Sequence, residues 1–140
     1  LLDGNLIHVN NETNLNIKDI VQTAYNYIES LIDGTNWKNY FIKLEETFNK
    51  NKFEFELLMQ SILLLLYDLE KLNHANNNIL FNQSSILFEK NKNKSKVDYE
   101  GGIDIIENSY NKLNHNLNPS LGFYAMTIQL KKILNPIHEK

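Results

Sequence analysis

The four histidines, His8, His74, His115 and His138, are the side chains best suited to acid–base or metal chemistry near neutral pH. Their positions read as loops and helix ends. None belongs to a Glu-x-x-His or His-x-x-x-His pair, the spacings that put two ligands on one helix face. Glu45 and Glu46 are adjacent, so a helix sends them in different directions and both read as surface charges. Gly101-Gly102 falls at an expected helix start, where backbone N–H groups can receive an anion, but the pair alone is a weak signal. Lys90, Lys92, Lys94 and Lys96 form a low-complexity basic run without interleaved aromatic residues, a poor design for nucleic acid and a good one for a solvated loop. The chain has no phosphate-binding Gly-x-x-x-x-Gly-Lys loop, no Gly-x-Ser-x-Gly elbow and no dinucleotide glycine fingerprint. No set of residues amounts to an active site. No catalytic residue, metal or cofactor is expected, and binding is the expected work.

Composition narrows the classes further. The chain has 140 residues, enough for one domain with a sizeable core. All 14 residues in the Lys+Arg count are lysine, which removes bidentate guanidinium grips on phosphate or carboxylate. The net charge of -3 gives no global basic field for holding a duplex. Absence of cysteine excludes disulfides, thiolate metal sites and a cysteine nucleophile. The longest apolar run, Ile62 to Tyr67, is far short of a membrane span. A start at Leu1-Leu2-Asp3-Gly4, without Met, is expected of a piece of a longer chain.

The elements that must carry any binding surface are all helical. Residues 8–16 lack an apolar period and predict a loop. Ile17, Ile20, Val21, Ala24, Tyr27, Ile28 and Leu31 repeat at helical spacing, with Asn16 as a cap and Asp33-Gly34 as the stop. Trp37, Phe41, Leu44 and Phe48 line a second helix over 36–51, with Trp37 expected as a core anchor or a partner-facing hot spot. Residues 53–73 are apolar nearly all round, which predicts a central helix that returns to water at Asp68. A short helix follows around 84–89. Asp98 caps a helix over 99–116, lined by Ile103, Ile106, Tyr110 and Leu113. Asn118 as N-cap and Pro119 at the first helical position open the last helix, which Asn135-Pro136 ends. Its apolar line is read through Leu121, Ala125 and Ile128 to Lys132, flanked by Phe123, Met126 and Leu130. No segment alternates as a strand does. The expected fold is all-α, a single bundle of five or six helices.

Three features resemble the C-terminal collar domain of bacterial clamp-loader subunits of DNA polymerase III. One is the elbow Asn116-Leu117-Asn118-Pro119-Ser120-Leu121 running into the last helix. Another is the apolar helix from Phe55-Glu56-Leu57-Leu58 to Leu66-Tyr67-Asp68-Leu69. The third is the order of the pieces, over residues 17–134. Leu1 to Leu6, with Asp3-Gly4-Asn5, look like the end of the family's preceding lid domain, so residues 1–15 are expected as lid tail and linker and 16–140 as the collar. The short passage from Asp3-Gly4 to the first collar helix is similar to the delta-prime branch of the family, with gamma/tau as the alternative. Ser120, Tyr124, Gln129 and His8 depart from the family's usual charged residues.

The resemblance implies a non-catalytic oligomerisation domain in the cytoplasm. Its partners would be other clamp-loader subunits, gamma/tau and delta. Through the whole complex they would be the sliding clamp and primed DNA during replication. No membrane is expected as a partner. Exposure logic on the last two helices makes Tyr110, Leu113, Phe123, Tyr124 and Thr127 the expected subunit interface.

Overall fold

In the computed structural model the described residues are 2–93, 97–113 and 118–136, with side chains from residue 17 onward. They form six α-helices and no strand: α1 (Leu2–Asp33), α2 (Trp37–Lys50), α3 (Lys52–Asn73), α4 (Asn82–Asn91), α5 (Tyr99–Leu113) and α6 (Pro119–Leu134). The fold is an all-α bundle.

Helix α3 is the axis. Phe55, Leu57, Leu58, Met59, Ile62, Leu65, Leu66 and Leu69 are buried around its circumference. α1, α2, α4 and α5 all pack on it, while α6 closes the bundle against α1, α2 and α5. Each fully buried side chain of this size stabilises the fold by roughly 1.5–3 kcal/mol. Three rings fasten α2, α3 and α6 edge to face. Phe48 meets Phe55 at 5.0 Å and Phe123 at 5.2 Å, and Phe55 meets Phe123 at 5.3 Å. Across the bundle the hydroxyls of Tyr27 in α1 and Thr127 in α6 share a buried hydrogen bond of 2.7 Å.

The connections are short because single residues cap two elements. Asn51 ends α2, its N–H donating to the Thr47 carbonyl, and starts α3, its side chain accepting from the Glu54 N–H at 3.1 Å. Asn118 accepts from the Leu121 N–H at 3.3 Å ahead of Pro119, as its sequence position predicts. Asp98 accepts from the Gly101 N–H at 2.8 Å, so the start of α5 is closed by its own carboxylate and is no anion site.

Three expectations change. Residues 8–16 are helical, not a loop, and Asn16 lies inside α1 rather than capping it. Between Gly4 and Gly34 there is no glycine or proline. Asparagine costs a helix only about 0.7 kcal/mol or less per residue, so propagation from the apolar turns of 17–33 carries through. Asp68 does not return to water but is buried, at 2% exposure. Its carboxylate accepts from the Leu80 N–H (2.9 Å), the Phe81 N–H (2.9 Å) and the Ser84 hydroxyl (2.7 Å). A side chain of α3 thereby caps α4, whose own N-cap Phe81 has no oxygen to offer, and places negative charge at the positive helix end. The inward line of α6 is Phe123, Met126, Thr127, Leu130 and Leu134, on the opposite side of the helix from the line through Leu121 and Ala125, which stay exposed. On so wide an apolar face the bulkiest rings and the hydroxyl with a partner take the inside.

Two glycines respond oppositely to alanine. Gly34 stops α1 at φ 79°, where a side chain is strained, and an added Cβ would run into the Asn135 carboxamide. Gly102 leaves its Cβ site at 3.5–3.6 Å from Leu66 and Leu130 methyls, ordinary contact. Gly34→Ala is expected to lower stability by about 2 kcal/mol. Gly102→Ala is expected to raise it by up to about 1 kcal/mol. Urea unfolding of both variants measures the difference, and equal shifts would contradict the geometry. At Asp68, alanine strands three donors and is expected to cost about 3 kcal/mol, with asparagine costing less. Amide exchange should speed first at Leu80, Phe81 and along α4. Exchange there no faster than in α2 would remove Asp68 from this role.

Candidate interaction surface

The five residues expected at an interface separate into two groups. Leu113, Phe123 and Thr127 are buried at 3%, 0% and 0% exposure, inside the bundle. Phe123 completes the three-ring cluster and Thr127 holds Tyr27, so these three belong to the core. That corrects the expectation: for Phe123 and Thr127 the reason is the facing of α6 described above, and Leu113 lies on the buried stripe of α5 with Ile103 and Ile106. Tyr110 is half-buried and Tyr124 is exposed. The sequence carried a sign for Thr127, since a lone hydroxyl among apolar neighbours needs a partner. Its partner lies 100 residues away and no local pattern points to it.

Tyr124 organises the first surface. Its ring lies 5.9 Å from Phe41 and 6.5 Å from Trp37, both on α2. Trp37 and Phe41 are half-buried and pack on the core with one edge. Leu121, one turn before Tyr124 on α6, is 63% exposed, and Tyr124 is 49% exposed. Exposed Ala125 and half-buried Ile128 continue the strip. The Ser120 hydroxyl donates to Glu45 and pins the start of α6 to α2 at the strip's edge. An aromatic floor with a protruding leucine and a polar edge is the build of a protein-binding surface.

A second feature lies along the seam of α3 and α5. A groove of about 390 Å³ is lined by Met59, Gln60, Leu63, Ile106, Glu107, Tyr110 and Asn111. A tyrosine–carboxylate pair bridges this seam: the Tyr67 hydroxyl donates to Glu107 at 3.0 Å. The Glu56 charge acts on Tyr110 across the same seam. A third depression, of about 440 Å³ between α1, α2 and α3, is polar, with Asp19, Lys43, Thr47 and Glu54 on its walls. The Thr47 hydroxyl is engaged by the Lys43 carbonyl at 2.8 Å, so no activated nucleophile sits there.

The other chemistry-bearing residues are mostly occupied. His74, at the end of α3, pairs with Glu70 at 2.9 Å in solvent. Of the basic run, Lys90 pairs with Glu29 and Lys92 with Glu89, which leaves little free positive charge at those two positions. Lys94, Lys96, His115 and His138 lie outside the described residues, as does the side chain of His8. Among the described residues no three His, Asp or Glu side chains gather as a metal site, and no helix is long and apolar enough to cross a membrane.

Buried phenols tie stability to alkaline pH. Burial, then the nearby Glu70 charge, pushes Tyr99 up to about 12. Burial, followed by the nearby Glu56 carboxylate, takes Tyr110 up to about 12 as well. Tyr27 is raised by burial against the opposing Thr127 hydrogen bond. The folded state therefore favours the neutral phenols, whose unfolded value is about 10. Their contribution is complete below pH about 10 and is lost as pH rises from there towards about 12. Phenolate absorbance followed alongside circular dichroism should show these tyrosines ionising with unfolding. Ionisation of all tyrosines near pH 10 with helicity intact would contradict it.

No family model, no curated protein and no solved structure matches this chain.

Proposed function

We propose that this domain is a non-catalytic packing module that joins its chain to another protein through the outer strip of α2 and α6. The exposure of Leu121 and Tyr124 on the Trp37–Phe41 floor carries the reading. Large apolar side chains held on an ordered aromatic floor lose little conformational freedom on binding, which is what a contact hot spot requires. The charged groups beside this face are Glu45, held by the Ser120 hydroxyl, and Lys38, over the Trp37 ring, so the chemistry offered by the face itself is burial.

The specific assembly proposed is the collar of a bacterial clamp loader, with this chain as a delta-prime-type subunit and a gamma/tau collar as the alternative. What supports it is the sequence likeness at the Asn118-Pro119 elbow and the Asp68-Leu69 helix, together with the helical architecture. In that setting gamma/tau and delta collars are the neighbours, and the sliding clamp and primed DNA are met only through the complex. Residues 1–15 would then descend from a lid domain.

The experiment is sizing chromatography with light scattering, for the domain alone and mixed with gamma/tau collar domains. Co-elution that is lost in Leu121→Asp/Tyr124→Asp, with helicity retained, is the expected result. Failure to co-elute at high concentration overturns the clamp-loader assignment. Unchanged association in the double variant overturns the α2–α6 surface.

A further inference from the structure

Resting on the reading of the α2–α6 strip as a binding surface, we propose that the strip is self-complementary and takes a second copy of this chain about a two-fold axis. Lys38, Ile42 and Glu45 stand at i, i+4 and i+7 on α2, which puts them on one face. Lys38 is exposed, with its ammonium 5.8 Å over the Trp37 ring, and Ile42 is 46% exposed. Glu45 is half-buried and accepts from the Ser120 hydroxyl, a neutral donor that leaves its charge in place. Among the described residues neither Lys38 nor Glu45 is in an ion pair. The strip thus carries one unmatched charge of each sign, with apolar side chains between them.

Such a surface meets itself when the two copies run antiparallel. An axis in the interface plane, crossing α2 between Phe41 and Ile42, sets Lys38 of each copy against Glu45 of the other, and Phe41 against Ile42. The same axis serves α6. Tyr124 lies beside Trp37 and Phe41 while Ser120 bonds Glu45, so α6 runs antiparallel to α2. The axis therefore crosses α6 between Leu121 and Tyr124, and the protruding leucine of one copy meets the ring of the other. Two ion pairs, about 10 Å apart along α2, then bracket an apolar centre. With the copies parallel, Lys38 would face Lys38 and Glu45 would face Glu45, which like-charge repulsion disfavours.

The test is sedimentation equilibrium of the whole chain up to about 1 mM, a range that captures a transient interface. A dimer is expected. Lys38→Glu or Glu45→Lys alone should weaken it at least about tenfold, because each sets two like-charge pairs across the axis. An equimolar mixture of the two variants should dimerise again, since the mixed pair restores opposite charges at both contacts. Circular dichroism checks that each variant keeps its helicity. A monomer at every concentration overturns the inference, and co-elution with gamma/tau collar domains in that case keeps the strip as a surface for another protein. Single variants that dimerise like the wild type, or a mixture as weak as either variant alone, overturn the two-fold register. A dimer that persists in Leu121→Asp/Tyr124→Asp puts the contact elsewhere and overturns the inference too.

Discussion

Helix α3 buries apolar side chains around most of its circumference, and the rest of the bundle follows from that. Its buried residues include both Leu65-Leu66 and Leu57-Leu58-Met59, consecutive positions that point in different directions around the axis. Four helices pack against it, and the amphipathic stripes of α1 and α5 supply most of the cover. Even its one buried charge, Asp68, serves this enclosure, because it ties the chain after Asn73 back onto α3 and seats α4. What remains once α3 has been covered is the apolar strip on the far edge of α2 and α6 and the incompletely filled seam with α5.

Much of this was legible in the sequence because the signals are local. Helical repeats in 17–31 and 99–113, the Asn118-Pro119 start and the Asp98 cap depend on residues within a turn or two of one another, and they hold in the structure. Asp68 was misread because a carboxylate in a helix gives no local sign of burial. Its donors lie 12 to 16 residues further on, in a segment whose path the sequence does not reveal. The facing of α6 was misread for a related reason. Apolar residues cover so much of its circumference that periodicity allows several rotations, and the choice is made by Tyr27, Phe48 and Phe55 on other helices.

The same distinction separates what was readable of the surfaces. Tyr124 was placed correctly outside, as a large ring on the last helix. Its value comes from Trp37 and Phe41, which reading along the chain assigned to a helix line of their own. The α3–α5 groove left no trace in the sequence, since Gln60, Glu107 and Tyr110 become neighbours only when the helices pack. At the seam the Glu107 carboxylate is met by the Tyr67 hydroxyl, a neutral donor that leaves its charge in place.

The hydrogen bond between Tyr27 and Thr127 also sets a timetable. The Asp68 cap joins residues near in sequence, so α3 and α4 can dock as soon as both have left the ribosome. α1 has no such local closure for its phenol. Tyr27 keeps an unmet hydroxyl, and the Phe48–Phe55 pair lacks its third ring, until α6 arrives with Phe123 and Thr127. A nascent chain that has produced five of the six helices therefore still exposes the interior of its bundle. Helix α6, the sixth in chain order among the described residues, both seals that interior and carries the outward-facing Leu121 and Tyr124, so the apolar strip comes into being only as the core closes.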